Sequence, residues 1–99
     1  MKKDFKDLDP LLHSQLRLSI ISILIGVKEA EFTYIRETTG ATAGNISVQV
    51  SKLEEAGYVT VKKEFKNNYP CTTVSITKKG IKAFEDYVND LKTYIDIKK

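Results

Sequence analysis

Apolar side chains near the start of the chain repeat at helical spacing on two opposite faces. Asp9 and Pro10 supply an N-cap acceptor and a first helical residue, so the pattern predicts a helix from there to about Gly26. One stripe consists of Leu12, Leu16, Ile20, Ile23, Leu24 and Val27, and the other of Leu11, Leu18, Ile21 and Ile25. Since a helix that is apolar on both faces must be covered on both, we expect one stripe to meet the core and the other a further element or a second subunit.

Two shorter helices are predicted next along the chain. Residues 32–39 form the first, with Tyr34 or Ile35 inward, and a tight turn follows at 39–41. Thr42 is placed to cap the following helix, which ends near Ala56 before a left-handed Gly57. The expected buried stripe of this third helix is Ile46, Val50, Leu53 and Ala56.

The last third of the chain changes from strand to helix periodicity. Residues 58–65 and 71–76 alternate like strands, and turn-forming residues at 66–70 join them into a hairpin. Thr77 then caps a helix that is expected to continue through Ile97. Its apolar residues are spaced 3-4-3-4, a coiled-coil-like seam made of Ile81, Phe84, Val88, Leu91 and Ile95.

Composition limits the class of protein. A chain of 99 residues suits one domain, and no apolar run reaches the length of a membrane span. The single Cys71 and single His13 leave no disulfide framework and no His-cluster metal site. Cys71 is interpreted as an inert small residue, with a redox-sensing thiol as the alternative. We find no nucleophile–base pair and no glycine-rich phosphate loop. These features predict a cytoplasmic protein that is not an enzyme and holds no cofactor or metal.

Positive charge is concentrated in one part of the chain. The sequence has 16 Lys and Arg against 13 Asp and Glu, a net charge of +3. Residues 62–82 contain six lysines and one acidic residue, Glu64, whereas the remaining segments are nearly neutral. This window coincides with the hairpin and the start of the last helix, which favours an anionic partner at that position.

The order of the elements places a hairpin directly after a helix-turn-helix. The most specific pieces are KLEEAGYV at 52–59 and TTVSITKKG at 72–80, which occur together at this separation. Weaker matches are Leu8–His13 with Arg17, Glu31–Ile35 and Asn45–Ser47. Through these stretches, over roughly residues 8 to 85, the chain resembles the small winged-helix transcriptional regulators of the MarR-like and ArsR-like group.

The resemblance implies both a fold and a function. The fold would be α+β and mostly α, a winged helix-turn-helix with a two-stranded wing and a long C-terminal helix. The function would be that of a dimeric, sequence-specific DNA-binding regulator, with the third helix in the major groove and the basic wing on the DNA backbone or minor groove. Residues 1–99 would form one domain whose last helix, about 78–97, mediates dimerisation.

Candidate DNA contacts lie on the face of the third helix opposite its buried stripe. Asn45 and Ser47 can hydrogen-bond base edges, and Val48 can touch a thymine methyl. The family usually has a basic residue or histidine around positions 48 and 49, where this chain has Val48 and Gln49, so more of the affinity must come from the wing. The candidate residues of this helix are Thr42, Gly44, Asn45, Ser47, Val48, Ser51 and Lys52.

The wing supplies a second set of candidate contacts. Lys78 and Lys79 oppose the dipole of the helix that they begin, which also favours phosphate contact there. The alternative is that the lysines of the hairpin do not contact DNA and only protect the edge of a strand from aggregation. The candidate wing residues are Lys62, Lys63, Lys66, Asn67, Asn68 and Tyr69.

The second apolar stripe and the last-helix seam together predict a homodimer. A two-fold dimer separates its recognition helices by about 34 Å and so fits an inverted-repeat operator. The alternative is a monomer in which the last helix folds back over the first. Another alternative, which the acidic Glu55 keeps open, is a module that binds protein rather than DNA. The expected dimer residues are Leu11, Leu18, Ile21, Ile25, Ile81, Phe84, Val88, Leu91 and Ile95.

Overall fold

The fold consists of four helices and a small antiparallel sheet. It was obtained as a computed structural model that describes residues 4–95. The elements in chain order are α1 (Gln15–Val27), β1 (Glu29–Glu31), α2 (Phe32–Thr39), α3 (Ala43–Glu55), β2 (Val59–Lys66), β3 (Tyr69–Ile76) and α4 (Lys78–Ile95). The predicted helix-turn-helix, hairpin and final helix are all present, whereas the predicted helix end at Ile97 lies outside the described residues.

The first helix begins later than predicted. Asp9 does act as a cap, since its carboxylate accepts a hydrogen bond from the Leu11 N–H at 2.9 Å. Its carbonyl accepts from His13 N–H, also at 2.9 Å, but this closes only a single turn. Ser14 is extended, with φ −149° and ψ 125°, so the chain breaks there and α1 begins at Gln15. The Asp9-Pro10 pair therefore predicted a helical turn correctly, but it did not mark the start of α1.

The core surrounds α1, which contacts the other three helices and the sheet. Ile20, Ile21 and Leu24 are fully buried. Ile21 was expected at the dimer contact, and this assignment is wrong because its side chain is fully buried within the chain itself. Three residues of the predicted α3 stripe, Ile46, Val50 and Leu53, are buried, whereas the fourth, Ala56, is the C-cap and is half-buried. The remaining fully buried large side chains are Leu12, Ile35, Val59 and Val74.

The sheet has three strands in the order β1-β3-β2, one more than predicted. β1 has only three residues, of which Ala30 alone points inward, opposite Val74 of β3. Such a segment is too short for alternation to be recognised in the sequence. The hairpin turn is also tighter than predicted. Asn67 and Asn68 have φ values of 51° and 66°, the left-handed conformation that two-residue hairpin turns require, and the strands continue up to them.

The last helix begins at the predicted cap, and part of its predicted seam meets the core. The Thr77 hydroxyl oxygen accepts a hydrogen bond from the Gly80 N–H at 3.0 Å. The buried residues of α4 are Gly80 and Tyr87, and the tyrosine hydroxyl lies 3.1 Å from Nδ1 of His13. Phe84 and Leu91 of the seam pack partly against the core beside Tyr87, whereas its end residue Ile95 is 72% exposed.

Candidate nucleic-acid interface

The outer face of α3 is exposed and begins at a formed N-cap. Thr42 Oγ1 accepts a hydrogen bond from the Asn45 N–H at 3.2 Å, which satisfies one of the free amides of the first turn. Val48 lies at the centre of this face and is 51% exposed. All seven candidate residues of the recognition helix are exposed, namely Thr42, Gly44, Asn45, Ser47, Val48, Ser51 and Lys52.

One wing lysine shares a cleft with this helix. Side chains alternate along β2, so Lys63 lies on the same face as Val61, which is directed toward the core. Lys63, Ser47 and Ser51 line a cleft of about 300 Å³ between α3 and the sheet. The structure therefore brings a predicted wing cation next to two predicted residues of the recognition helix.

The other wing lysines lie on the opposite face of the hairpin. Lys62 and Lys66 alternate with Lys63, and Lys62 forms an exposed ion pair with Glu64 at 3.4 Å. β2 is an edge strand, which is also the position where protective lysines are expected. Of the predicted wing cations, only Lys63 is thus brought against α3.

The tip of the wing carries exposed aromatic rings. Tyr69 was predicted there and is 74% exposed, whereas Phe65 was not singled out and is 76% exposed. Phe65 has the same strand parity as Lys63, so it extends the α3-facing side of the hairpin toward the Asn67–Asn68 turn. An exposed phenylalanine in a strand looks like a core residue in the sequence, which is why the pattern did not identify it.

Two lysines near the start of α4 have partners within the chain. The Lys79 ammonium lies 5.8 Å from the centre of the Tyr58 ring, a cation–π contact. Lys82 forms an ion pair with Asp86 at 2.6 Å, and this hydrogen bond raises the pKa of the lysine. The basic window of the sequence therefore divides into a hairpin part and a helix part in which Lys79 and Lys82 have partners within the chain.

A chain of hydrogen bonds connects α1 to the recognition helix. Arg17 donates from Nε to the Leu11 carbonyl at 2.6 Å and from Nη1 to Gln49 Oε1 at 2.5 Å. Gln49 Nε2 in turn donates to Asn45 Oδ1 at 3.0 Å. The side chain of Asn45 is thus fixed by Gln49 and Arg17, neither of which was among the predicted DNA contacts.

The residues expected at a dimer contact differ in their exposure. Leu11 and Leu18 are half-buried against the core, and Ile25 is 37% exposed. On α4, Ile81 and Ile95 are exposed, and the seam residues between them, Phe84, Val88 and Leu91, are half-buried. Apart from Ile21, the predicted set keeps apolar surface that no element within residues 4–95 covers completely.

Cys71 lies beside a carboxylate. Its thiol donates a hydrogen bond to Glu31 Oε1 at 3.3 Å, and this bond is the main reason that the pKa of the thiol is raised. A raised pKa keeps the sulfur protonated and less nucleophilic. Within residues 4–95 no three His, Cys, Asp or Glu side chains are grouped to hold a metal ion. No helix in that range is long and apolar enough to cross a membrane.

Comparison with known proteins identifies the class. Residues 16–95 match the family model described as a winged helix DNA-binding domain. An uncharacterized protein of Methanocaldococcus jannaschii is 35% identical over 81 residues, which cover 82% of this chain and 88% of that protein. The chain belongs to the winged helix DNA-binding domain family, as its sequence predicted.

Solved structures agree with this assignment. A transcriptional regulator homologue from Pyrococcus horikoshii superimposes with a TM-score of 0.82 and 30% identity, over 87% of this chain and 85% of that one. A MarR-family regulator from Rhodococcus superimposes with a TM-score of 0.71 at 18% identity, over 84% of this chain and 58% of that one. This similarity shows a common fold. Both structures share the fold of this chain, and the winged helix DNA-binding domain family to which it belongs is one of transcriptional regulators rather than enzymes.

Proposed function

We propose that the protein binds duplex DNA sequence-specifically as a homodimer, with α3 in the major groove and the wing on the backbone or minor groove. The main support for DNA binding is that Lys63, Ser47 and Ser51 line the same cleft. Because these side chains converge from the wing and from α3, one duplex can contact both elements at once. The proposed contacts on α3 are the seven exposed residues named above. We also propose a cytoplasmic location, which the single thiol of Cys71 favours.

The uncovered apolar surface supports the dimer. The chain measures 59 × 25 × 21 Å with a radius of gyration of 15.4 Å, compared with about 13 Å for a compact domain of this length. An elongated chain buries less of its own apolar surface. We propose that the α4 seam and the exposed part of the α1 stripe, Ile25 included, meet their symmetry mates. The whole chain, residues 1–99, then forms one domain whose α4 is the dimerisation helix.

The salt dependence of binding tests the proposal. The logarithm of the affinity falls with the logarithm of the salt concentration by about 0.9 for each neutralised phosphate. Lys63→Gln removes one contact per chain, so a dimer loses two and its slope becomes shallower by about 1.8. Lys82→Gln is the matched control, because Lys82 is paired with Asp86 and lies away from the cleft. Absence of duplex binding at low salt, or equal slopes for the two variants, would contradict the proposal.

A protein-binding module is the second candidate. Glu54 lines the same cleft as Lys63, and Glu55 is exposed on the outer face of α3. Carboxylates at these positions repel phosphates and suit a partner with basic side chains. If this candidate is correct, Glu55→Gln leaves duplex binding absent at low salt. Under the DNA proposal, removal of the Glu55 charge increases the affinity for duplex DNA. The salt dependence of that affinity stays at least as steep as in the wild type.

A further inference from the structure

The hydrogen bonds from Arg17 to Asn45 have a direction that the chemistry of the groups dictates. A guanidinium has N–H donors and no acceptor. Gln49 must therefore present Oε1 to Arg17, which turns its NH2 group toward Asn45. Asn45 must in turn present Oδ1 to this NH2 group, so its own Nδ2 is left facing away from the network. The donor-only residue at one end thus sets the amide orientation at the other.

The positions of Arg17, Gln49 and Asn45 stabilise this hydrogen-bond network. Asn45 and Gln49 are four residues apart on α3 and so occupy the same row of the helix surface. Arg17 and Gln49 are half-buried between α1 and α3, and a second bond from Arg17 to the Leu11 carbonyl fixes the guanidinium. Asn45 is exposed at the N-terminal end of α3, the end that meets base edges in helix-turn-helix proteins.

We propose that Arg17 and Gln49 are positioning residues that make Asn45 a hydrogen-bond donor toward the DNA, so that it selects guanine. This inference rests on the proposed DNA-binding function. Guanine presents two acceptors in the major groove, N7 and O6, whereas adenine presents one acceptor and one donor. An asparagine normally reads adenine with both ends of its amide. Because Oδ1 is turned toward Gln49 and Nδ2 faces away from it, Asn45 offers the groove its N–H donors, and guanine becomes the better partner.

Reversal of the network provides the test. In Gln49→Glu the side chain has only acceptors, so it accepts from Arg17 with one oxygen and from Asn45 Nδ2 with the other. Asn45 Oδ1 is then released toward the groove beside its remaining N–H, which is the arrangement that binds adenine. We expect the preferred base at one position of each half-site to change from guanine to adenine, with discrimination of about 5- to 150-fold.

The experiment uses a duplex that the wild-type protein selects from a random pool. Asn45→Ala locates the position, since it is expected to abolish the base preference there and nowhere else. Affinities of wild type, Gln49→Glu and Gln49→Met are then measured on the four duplexes that differ at that position. Gln49→Met is expected to lose the preference without reversing it, and Gln49→Glu in an Asn45→Ala background is expected to show none. Gln15→Glu, at the other glutamine of the chain, controls for the added charge.

The outcomes separate the inference from the proposed function. A wild-type protein that binds no duplex at low salt contradicts the proposed function itself. A wild-type protein that binds, and a Gln49→Glu variant that still prefers guanine, overturn the network alone. The same conclusion follows if Gln15→Glu changes the preference as much as Gln49→Glu does, or if Asn45→Ala alters no base preference. Thermal unfolding of each variant verifies that it is folded before its affinities are compared.

Discussion

Gly80 offers a sharp test of how α4 docks, because a single methyl group has no room there. A Cβ at this position would lie 2.2 Å from the Tyr58 carbonyl oxygen and 2.9 Å from Cγ1 of Ile76. The carbonyl belongs to the backbone and accepts a hydrogen bond from the Thr77 N–H at 3.0 Å, so it cannot move without breaking that bond. Gly80→Ala must therefore push the first turn of α4 away from β2.

The size of the effect follows from three contributions. Overpacking costs about 1–3 kcal/mol, and loss of the Tyr58–Thr77 hydrogen bond costs about 1 kcal/mol. Alanine is a better helix former than glycine by about 1 kcal/mol, which offsets the second cost. We expect Gly80→Ala to lower the free energy of unfolding by about 1–3 kcal/mol. This corresponds to a decrease in Tm of roughly 4–8 °C for each kcal/mol in a domain of this size.

Urea unfolding at a fixed protein concentration measures this change, with the concentration held constant because association contributes to stability. Gly26→Ala is the matched control, since an added Cβ there meets no atom within 4 Å. We expect that substitution to raise stability by up to about 1 kcal/mol, because only the helix preference changes. If Gly80→Ala is as stable as the wild type, or shifts in the same direction as Gly26→Ala, the described docking of α4 is wrong.

Three further predictions concern the dimer seam, the thiol and one tyrosine. Val88→Asp puts a charge into the proposed seam, so light scattering should detect monomers where the wild type gives dimers; an unchanged mass contradicts the seam. Glu31→Gln weakens the bond that keeps Cys71 protonated, so the thiol pKa should fall and alkylation at pH 8 should accelerate; equal rates contradict this cause. Burial and a hydrogen bond to Asp9 raise the pKa of Tyr58 to about 12, so its neutral form stabilises the fold below pH 10 and this contribution is lost from pH 10 to 12. Urea unfolding should therefore show the stability difference between wild type and Tyr58→Phe narrowing over that range, and a constant difference would refute it.

Elements with strong local signals could be predicted from the sequence. α2, α3 and the start of α4 were located correctly because the buried stripe of α3 and the Thr42 and Thr77 caps are determined by residues close together in the chain. The left-handed Gly57, with φ 81°, belongs to the same group. Such features require no knowledge of the tertiary structure.

Features that depend on distant partners could not be predicted. β1 exists because Ala30 pairs with Val74, more than forty residues away, and three residues have no detectable period. Ile21 was misassigned because periodicity shows which residues share a face but not how many faces become covered. The role of Gln49 likewise depends on Arg17, which comes from another helix.

The structure divides the basic window of the sequence, and its contact with an anionic partner stays a prediction. The sequence placed six lysines in one window, yet only the arrangement of strands separates Lys63, which faces α3, from Lys79 and Lys82, which contact Tyr58 and Asp86. The charge along the sequence therefore predicts that the partner is anionic. The alternation of side chains along a strand shows which lysines face α3.

Selection of bound duplexes from a random pool tests the central claim most directly. A two-fold dimer with α3 in the major groove requires an inverted repeat whose half-sites are centred about one helical turn, 10–10.5 base pairs, apart. We expect the selected sequences to contain this repeat, and the repeat to disappear when the pool is selected with Val88→Asp. Selected sequences without two-fold symmetry, or no enrichment at low salt, would contradict the account of a dimeric, sequence-reading regulator.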